Sequence, residues 1–292
     1  MMAKKWINEY VDCLNCLYCE GLNINKSFEI KQKHIPNNLY RFRPLSDNND
    51  YEFENLENDK VWLNCPDNFN DPFDSKPLYN PDKLYNLLKN DSELKKFVTE
   101  KDADYINNLY HKTYVEYCKN YRIGCFTENN YTNILMWSHY ANAHKGFCLK
   151  YDFTDKKQNI PENLLNSICP VIYSNQIFDI TEYLYSSTKN VTAYLKDNNI
   201  TRHFNNILLN LVVLFKSDIW SYENEWRIVM EKNLYKIENL IDVPKPSAIY
   251  IGLNTSNRNK AILKNISRKR KIDIFQIVRS PNEYKLQIEP LL

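Results

Sequence analysis

Three blocks carry residues whose types and spacing suit chemistry. In WSYENEWRIV, Glu223 and Glu225 stand two apart, so in a strand they share a face while Trp226 and Ile228 turn to the core side. Trp220, Tyr222 and Trp226 around such a carboxylate pair restrict access to water, which perturbs a carboxyl group. The pair then suits an acid, a base or a stabiliser of positive charge. In LYRFRPL, Arg41 and Arg43 also share a face, with Phe42 opposite. Two planar, permanently charged guanidiniums just before Pro44 suit a pyrophosphate or a carboxylate. Arg43 can equally close a structural ion pair with one of the chain's 36 acids, and for Arg41 that reading is the favoured one. In MWSHYANAHKG, Trp137, Ser138, His139 and Tyr140 crowd one small surface of a short helix, where they can stack a ring and hydrogen-bond its substituents. A Ser138–His139 dyad is disfavoured, because adjacent residues on a helix do not face each other.

Three further segments have two readings each. In FNDPFD, Asn70, Asp71 and Asp74 surround Pro72 and either hold a rigid turn or offer hard oxygen ligands that need partners from elsewhere. Cys13, Cys16 and Cys19 have metal-like spacing, but a closed zinc site wants four ligands and no second Cys or His pair accompanies them. Small apolar side chains on one helix face account for them as well, and no metal is expected. Between Asn254 and Ile272 stand Arg258, Lys260, Lys264, Arg268, Lys269, Arg270 and Lys271 with no acid among them. This run is either a solvated face or a guide for RNA or DNA phosphates, with Arg268 to Lys271 as the contacts.

The elements that must position these groups follow from periodicity and turn residues. Helical spacing marks residues 3–20, 83–119, 133–141, 178–217 and 257–268; short strands are expected at 39–43, 61–65, 123–126, 146–151, 171–174, 225–230, 249–252, 272–278 and 286–288. The order is neither strict strand–helix alternation nor all-strand, which favours an α+β fold. One domain spanning 1–292 is expected: a helical extension over 1–35, then a core over 36–292 with helical insertions at about 81–120 and 178–217.

Composition excludes several classes. Hydrophobic residues at 43% and charged residues at 25% are the balance of a globular protein. With four glycines and neither GxGxxG nor GxxxxGK[ST], a classical dinucleotide fold and a P-loop have no support. The net charge of +2 implies no polyanion partner for the chain as a whole. No apolar leader stands at MMAKKWINEYVDCLN and no run approaches a membrane span, so a cytoplasmic, reducing location with free thiols and no membrane is expected.

Taken together, LYRFRPL, VWLNCPDNFNDPFD, GCFTENN, ILMWSHYANAHKGFCLKYDF, WSYENEWRIV and AIYIGL resemble an uncharacterised bacterial domain family across most of residues 39–253. The order of features is also similar to the ADP-ribosyltransferase superfamily: an Arg on an early strand, a small polar residue on the next, then an aromatic, then a Glu in an ExE-like pair on a late strand. That resemblance implies a mixed, mainly antiparallel split sheet and NAD as substrate. Arg43 would hold NAD, with Arg41 beside it, and Asn64 stands where the superfamily often has Ser. Tyr140 or Trp137 would stack the nicotinamide, with Ser138 nearby. Glu225 would stabilise the oxocarbenium-like state with Glu223, and His139 would make a ribose contact. It further implies a protein, RNA or DNA acceptor, and a toxin or anti-phage effector with an antitoxin or regulatory protein. The alternatives are a nucleic-acid- or nucleotide-binding protein without transferase chemistry, and a non-catalytic partner-binding module.

Overall fold

Alternation of apolar and polar residues sets the strands, and Pro, Asn and Asp set their ends. A computed structural model describes residues 5–15, 22–46, 51–96, 108, 119–186 and 208–291. In chain order these form α1 (Lys5–Asn15), α2 (Leu22–Gln32), β1 (Leu39–Arg43), α3 (Tyr51–Glu57), β2 (Lys60–Trp62), α4 (Pro81–Asn90), β3 (Tyr121–Thr127) and α5 (Ile134–Tyr140). There follow β4 (Phe147–Tyr151), α6 (Glu162–Ser167), β5 (Ile168–Pro170), β6 (Ile172–Ser174), α7 (Leu208–Val212), β7 (Phe215–Ser217) and β8 (Glu225–Glu231). The last are α8 (Lys232–Tyr235), β9 (Leu240–Asp242), β10 (Ala248–Ile251), α9 (Asn257–Arg270), β11 (Asp273–Arg279) and β12 (Leu286–Pro290). The fold is α+β with a mixed, mainly antiparallel sheet.

The chain divides into two compact units. One takes Met1–Lys33, Cys65–Tyr121 and Pro170–Trp220; the other takes His34–Asn64, Arg122–Cys169 and Ser221–Leu292. The extension and two insertions that the sequence suggests fall in the first unit. There Asn80 caps α4 by accepting from the Lys83 amide, and β6 pairs in parallel with β7. The apolar run that ends at Phe215 is therefore not helical to its end: it closes in a strand that hydrogen-bonds β6. Most of the expected 83–119 and 178–217 helices, and Cys16 and Cys19, lie outside the described residues. FNDPFD is a turn in this unit. Asp71 accepts from the Phe73 amide, and Asp74 accepts from the Ser75 hydroxyl and lies 3.9 Å from the buried Lys216 ammonium.

The second unit holds an eight-stranded sheet in the order β12-β11-β10-β4-β1-β3-β8-β5. Strand β1 pairs with β4 over five residues, Leu39↔Tyr151 to Arg43↔Phe147, but meets β3 at the single pair Tyr40↔Thr127. The sheet is thus nearly parted between β1 and β3. The buried Arg41 guanidinium spans that parting, donating to Cys125 O on β3 (3.2 Å) and to Trp62 O (2.8 Å). It supplies a donor to the β3 carbonyl at the parting and ties that place to Trp62 of β2.

Register assigns the two faces. Leu39, Arg41, Arg43, Phe147, Leu149, Tyr151, Ile249 and Ile251 share one; Tyr40, Phe42, Cys148, Ala248, Tyr250 and Phe275 share the other. The second face packs on Met136, Trp137 and Ala141 of α5 and its C-terminal turn. α9 is the crossover between the parallel strands β10 and β11, with Ser256 as its N-cap. Among the described residues no helix is long and apolar enough to cross a membrane. Among the described residues Cys13, Cys65, Cys125, Cys148 and Cys169 are not joined in disulfides.

Candidate functional site

The two glutamates reach one place by different local geometries. Glu225 opens β8, but Glu223 ends a 3-10 turn, and Asn224 between them has φ +43°. Strand alternation therefore does not explain why both gather near Tyr140. The GCFTENN segment does. Thr127 Oγ1 donates to Glu223 O, Asn129 Nδ2 to Tyr222 O (2.5 Å) and Asn224 Nδ2 to Asn129 Oδ1 (3.0 Å), while the Glu128 amide donates to Asn224 O (3.0 Å). Trp226 Nε1 donates to Glu128 Oε1 at 2.8 Å, which fixes the core-facing indole of the strand. The end of β3 thereby holds the YEN turn against the start of β8.

Both carboxylates are buried, Glu223 with 2% exposure and Glu225 with 6%. The Tyr140 hydroxyl donates to Glu223 Oε1. Arg227, fully buried two residues along β8, donates to both Glu225 oxygens, Nε at 2.9 Å and Nη2 at 3.2 Å. Burial, then the charge and hydrogen bond of Glu223, and then Glu225, hold the Tyr140 phenol far above its ordinary range. At neutral pH it is therefore a neutral donor. A guanidinium two residues away keeps Glu225 company as an anion, since a buried carboxylate without a cation is costly. Cys125 adds a smaller effect on Tyr140 and is exposed on β3. Sequence reasoning missed Arg227, although its spacing signalled it: Glu223, Glu225 and Arg227 are successive alternate positions of YENEWR.

The arginines of β1 do not join this group. Arg41 and Arg43 leave the sheet on the face opposite to Phe42, whereas Tyr140 packs with the Phe42 side. Arg43 closes a bidentate ion pair with the buried Glu52 of α3, Nε to Oε2 at 2.8 Å and Nη2 to Oε1. Burial alone would lower the Arg43 pKa, and the hydrogen bond and charge of Glu52 raise it above its ordinary value. Arg41 is lowered to about 10 by burial and by the neighbouring Arg43 charge, and its ring partner is Phe126, 5.2 Å away. Both guanidiniums are committed to the fold, so the structural ion-pair reading describes Arg43.

Other candidates are also placed. Trp137 is wholly buried, edge-on to Phe42 at 5.1 Å, and donates to Tyr131 O at 2.7 Å. It is a core residue and offers no stacking face to a ligand ring. Ser138 Oγ donates back to Ile134 O (3.0 Å) on the exposed side of α5. His139 is exposed, its ring 6.3 Å from that of Tyr140. Asn64 accepts from Trp62 Nε1 (3.0 Å) and pairs with Ile123 through its backbone. In the basic run, Arg270 donates to Leu56 O and Asp59, and Lys269 lies 3.9 Å from Glu57. Those two charges fasten α9 to α3 and its flank. Arg268 and Lys271 lie at the end of α9, the latter in the left-handed C-cap. Among the described residues no three His, Cys, Asp or Glu side chains gather as ligands for a metal ion.

After α5 the chain makes an unusual turn. Asn142, Ala143 and His144 all have positive φ, +48°, +52° and +65°. Three successive left-handed residues without glycine cost roughly 1–2 kcal/mol each and persist only where their surroundings over-determine them. Here Asn142 Nδ2 donates to Leu45 O (2.8 Å), the His144 amide to Trp137 O (3.2 Å), and the Gly146 amide to Ala141 O (2.8 Å). From the loop after β10, the Asn254 amide donates to His144 O (2.9 Å) and Thr255 Oγ1 to Gly146 O (2.9 Å). Gly146 and Gly252 permit this approach: a Cβ on Gly146 would stand 1.9 Å from Arg43 O, and one on Gly252 2.3 Å from His144 O.

No curated protein and no solved structure matches the chain. A domain described as a protein of unknown function (DUF2971) covers residues 136–228, which include most of α5, the left-handed turn and the Tyr140, Glu223, Glu225 and Arg227 cluster.

Proposed function

We propose that the group at the start of β8 is the reactive site of an NAD-consuming, ADP-ribosyltransferase-like enzyme, and that the near-parting of the sheet beside β1 is the split of such a fold. The observation that carries this reading is the buried carboxylate pair Glu223 and Glu225 with Tyr140 bonded to it. Cleavage of the nicotinamide glycosidic bond leaves positive charge on the ribose. A carboxylate kept ionised by Arg227 stabilises that charge without being consumed as an acid. In this reading Glu225 is the stabilising group, Glu223 and the neutral Tyr140 hydroxyl orient the ribose, and His139 stands at the rim. Arg43 is not part of the reading, because Glu52 occupies it. The ADP-ribosyl acceptor is a protein, RNA or DNA.

Incubation of the purified chain with NAD tests it. Free nicotinamide is expected from the wild type, with release about 100-fold slower or more in Glu225→Gln, a loss of the size seen when one transition-state partner is removed. Absence of nicotinamide from the wild type, or unchanged release in the folded Glu225→Gln variant, would overturn the reading.

A further inference from the structure

A cleft lies elsewhere in the same unit, away from the Glu225 group. Its volume is about 820 Å³, and its walls include His144, Leu253, Ile134, Arg279, Tyr284 and Lys285. The size is that of a small-molecule site. Three features point to its ligand.

The first is His144. Its ring stacks on buried Trp137 (6.0 Å between centroids, 12° between planes), and its Nδ1 is buried without a hydrogen-bond partner among the described residues. Burial lowers its pKa, so the ring is neutral. A bare lone pair is the less costly orphan, so the hydrogen sits on Nε2 and leaves that nitrogen as a donor. The strained turn of Asn142 to His144, locked from three sides, holds the ring where it lines the cleft.

The second is charge. Arg279 at the end of β11 and Lys285 just before β12 are exposed, and neither forms an ion pair with a described residue, while Glu283 is the one acid among the described residues of the lining. The excess is positive. The third is the apolar part. Ile134 is 40% exposed and Tyr284 fully exposed, and Leu253 lies between Gly252 and the Asn254 that binds the turn. An aliphatic wall beside an uncovered phenol ring suits a flat aromatic body.

We propose that this cleft binds a nucleoside monophosphate, the base between Tyr284 and the Ile134–Leu253 wall, the phosphate on Arg279 and Lys285, and His144 donating from Nε2. The cleft is separate from the Glu225 group, and the proposal does not depend on NAD chemistry.

The test is calorimetric titration of the full chain with adenosine 5′-monophosphate. Binding is expected to weaken at least about tenfold in Arg279→Ala/Lys285→Ala, because two charge-assisted contacts are lost. Adenosine is expected to bind about tenfold more weakly than its monophosphate. His144→Asn, which tolerates positive φ and so keeps the turn, is expected to bind several-fold more weakly; Glu225→Gln is expected to bind as the wild type does. The proposal is overturned if the monophosphate does not bind at millimolar concentration or if the Arg279/Lys285 variant binds with unchanged affinity. It also fails if Glu225→Gln abolishes binding, which would move the ligand to the other site.

Discussion

Removing Arg43 separates its two roles, since an arginine that holds a ligand is dispensable for folding and one that neutralises a buried acid is not. In Arg43→Ala the Glu52 carboxylate, with 5% of its side chain exposed, loses both donors at once. Breaking a fully buried pair costs about 3–5 kcal/mol. The Arg43 side chain is 21% exposed, so its removal admits water to the carboxylate and the lower end, about 3 kcal/mol, applies. In Glu52→Ala the guanidinium can recruit that water, and the expected cost is about 2 kcal/mol. The double variant leaves no orphan and should lose no more than Arg43→Ala alone, a coupling of about 2 kcal/mol between the two sites. Urea unfolding of the four proteins, followed by tryptophan fluorescence with a common slope, measures each term. A loss below about 0.5 kcal/mol in Arg43→Ala, the range of ordinary surface changes, would refute the structural assignment. So would strict additivity in the double variant.

Three other outcomes follow from the same geometry. Gly146→Ala puts a methyl against the backbone carbonyl of Arg43, which no side-chain rotation relieves; a loss of about 3 kcal/mol is expected in the same unfolding assay, and a neutral result would contradict the close approach. Ala143→Gly relieves an exposed residue at φ +52° and should raise stability by about 0.5–1 kcal/mol, with a decrease counting against the left-handed turn. Tyr140 and Tyr151 have folded pKa values raised by burial above the ordinary 10.0, so the folded state keeps protons that the unfolded chain releases. Their contribution is complete below about pH 10 and declines above it by about 1.4 kcal/mol per pH unit for each phenol, an amount that Tyr151→Phe should remove from the measured slope. Unfolding midpoints that stay level from about pH 8 to about pH 11 would show that the two phenols ionise freely in the fold.

Much of the element map is legible in local sequence. Alternation in LYRFR, GFCLKY, EWRIVM and IDIFQIV, with Pro and Asn at the ends, marks β1, β4, β8 and β11 to within a residue or two. It also places Arg41 and Arg43 on one face and Phe42 on the other, because side-chain direction in a strand is a local property. The same rule fails at Glu223, where Asn224 with positive φ breaks the strand and only hydrogen bonds from Thr127 and Asn129 bring the carboxylate to Tyr140.

Partners lie beyond what local sequence decides. That Arg43 faces Glu52, that Arg41 closes the parting between β1 and β3, and that Trp137 is core depend on which segments meet across the sheet. The left-handed turn at Asn142 to His144 has no glycine to announce it; it exists because Gly146 and Gly252 let two other backbones come close enough to hold it. Residue types, strand faces and the α+β class are therefore readable along the chain, since each depends on near neighbours. Which charges are satisfied within the fold is settled only when distant segments meet, because an ion pair or a strained turn is stabilised by contacts between residues far apart in the chain.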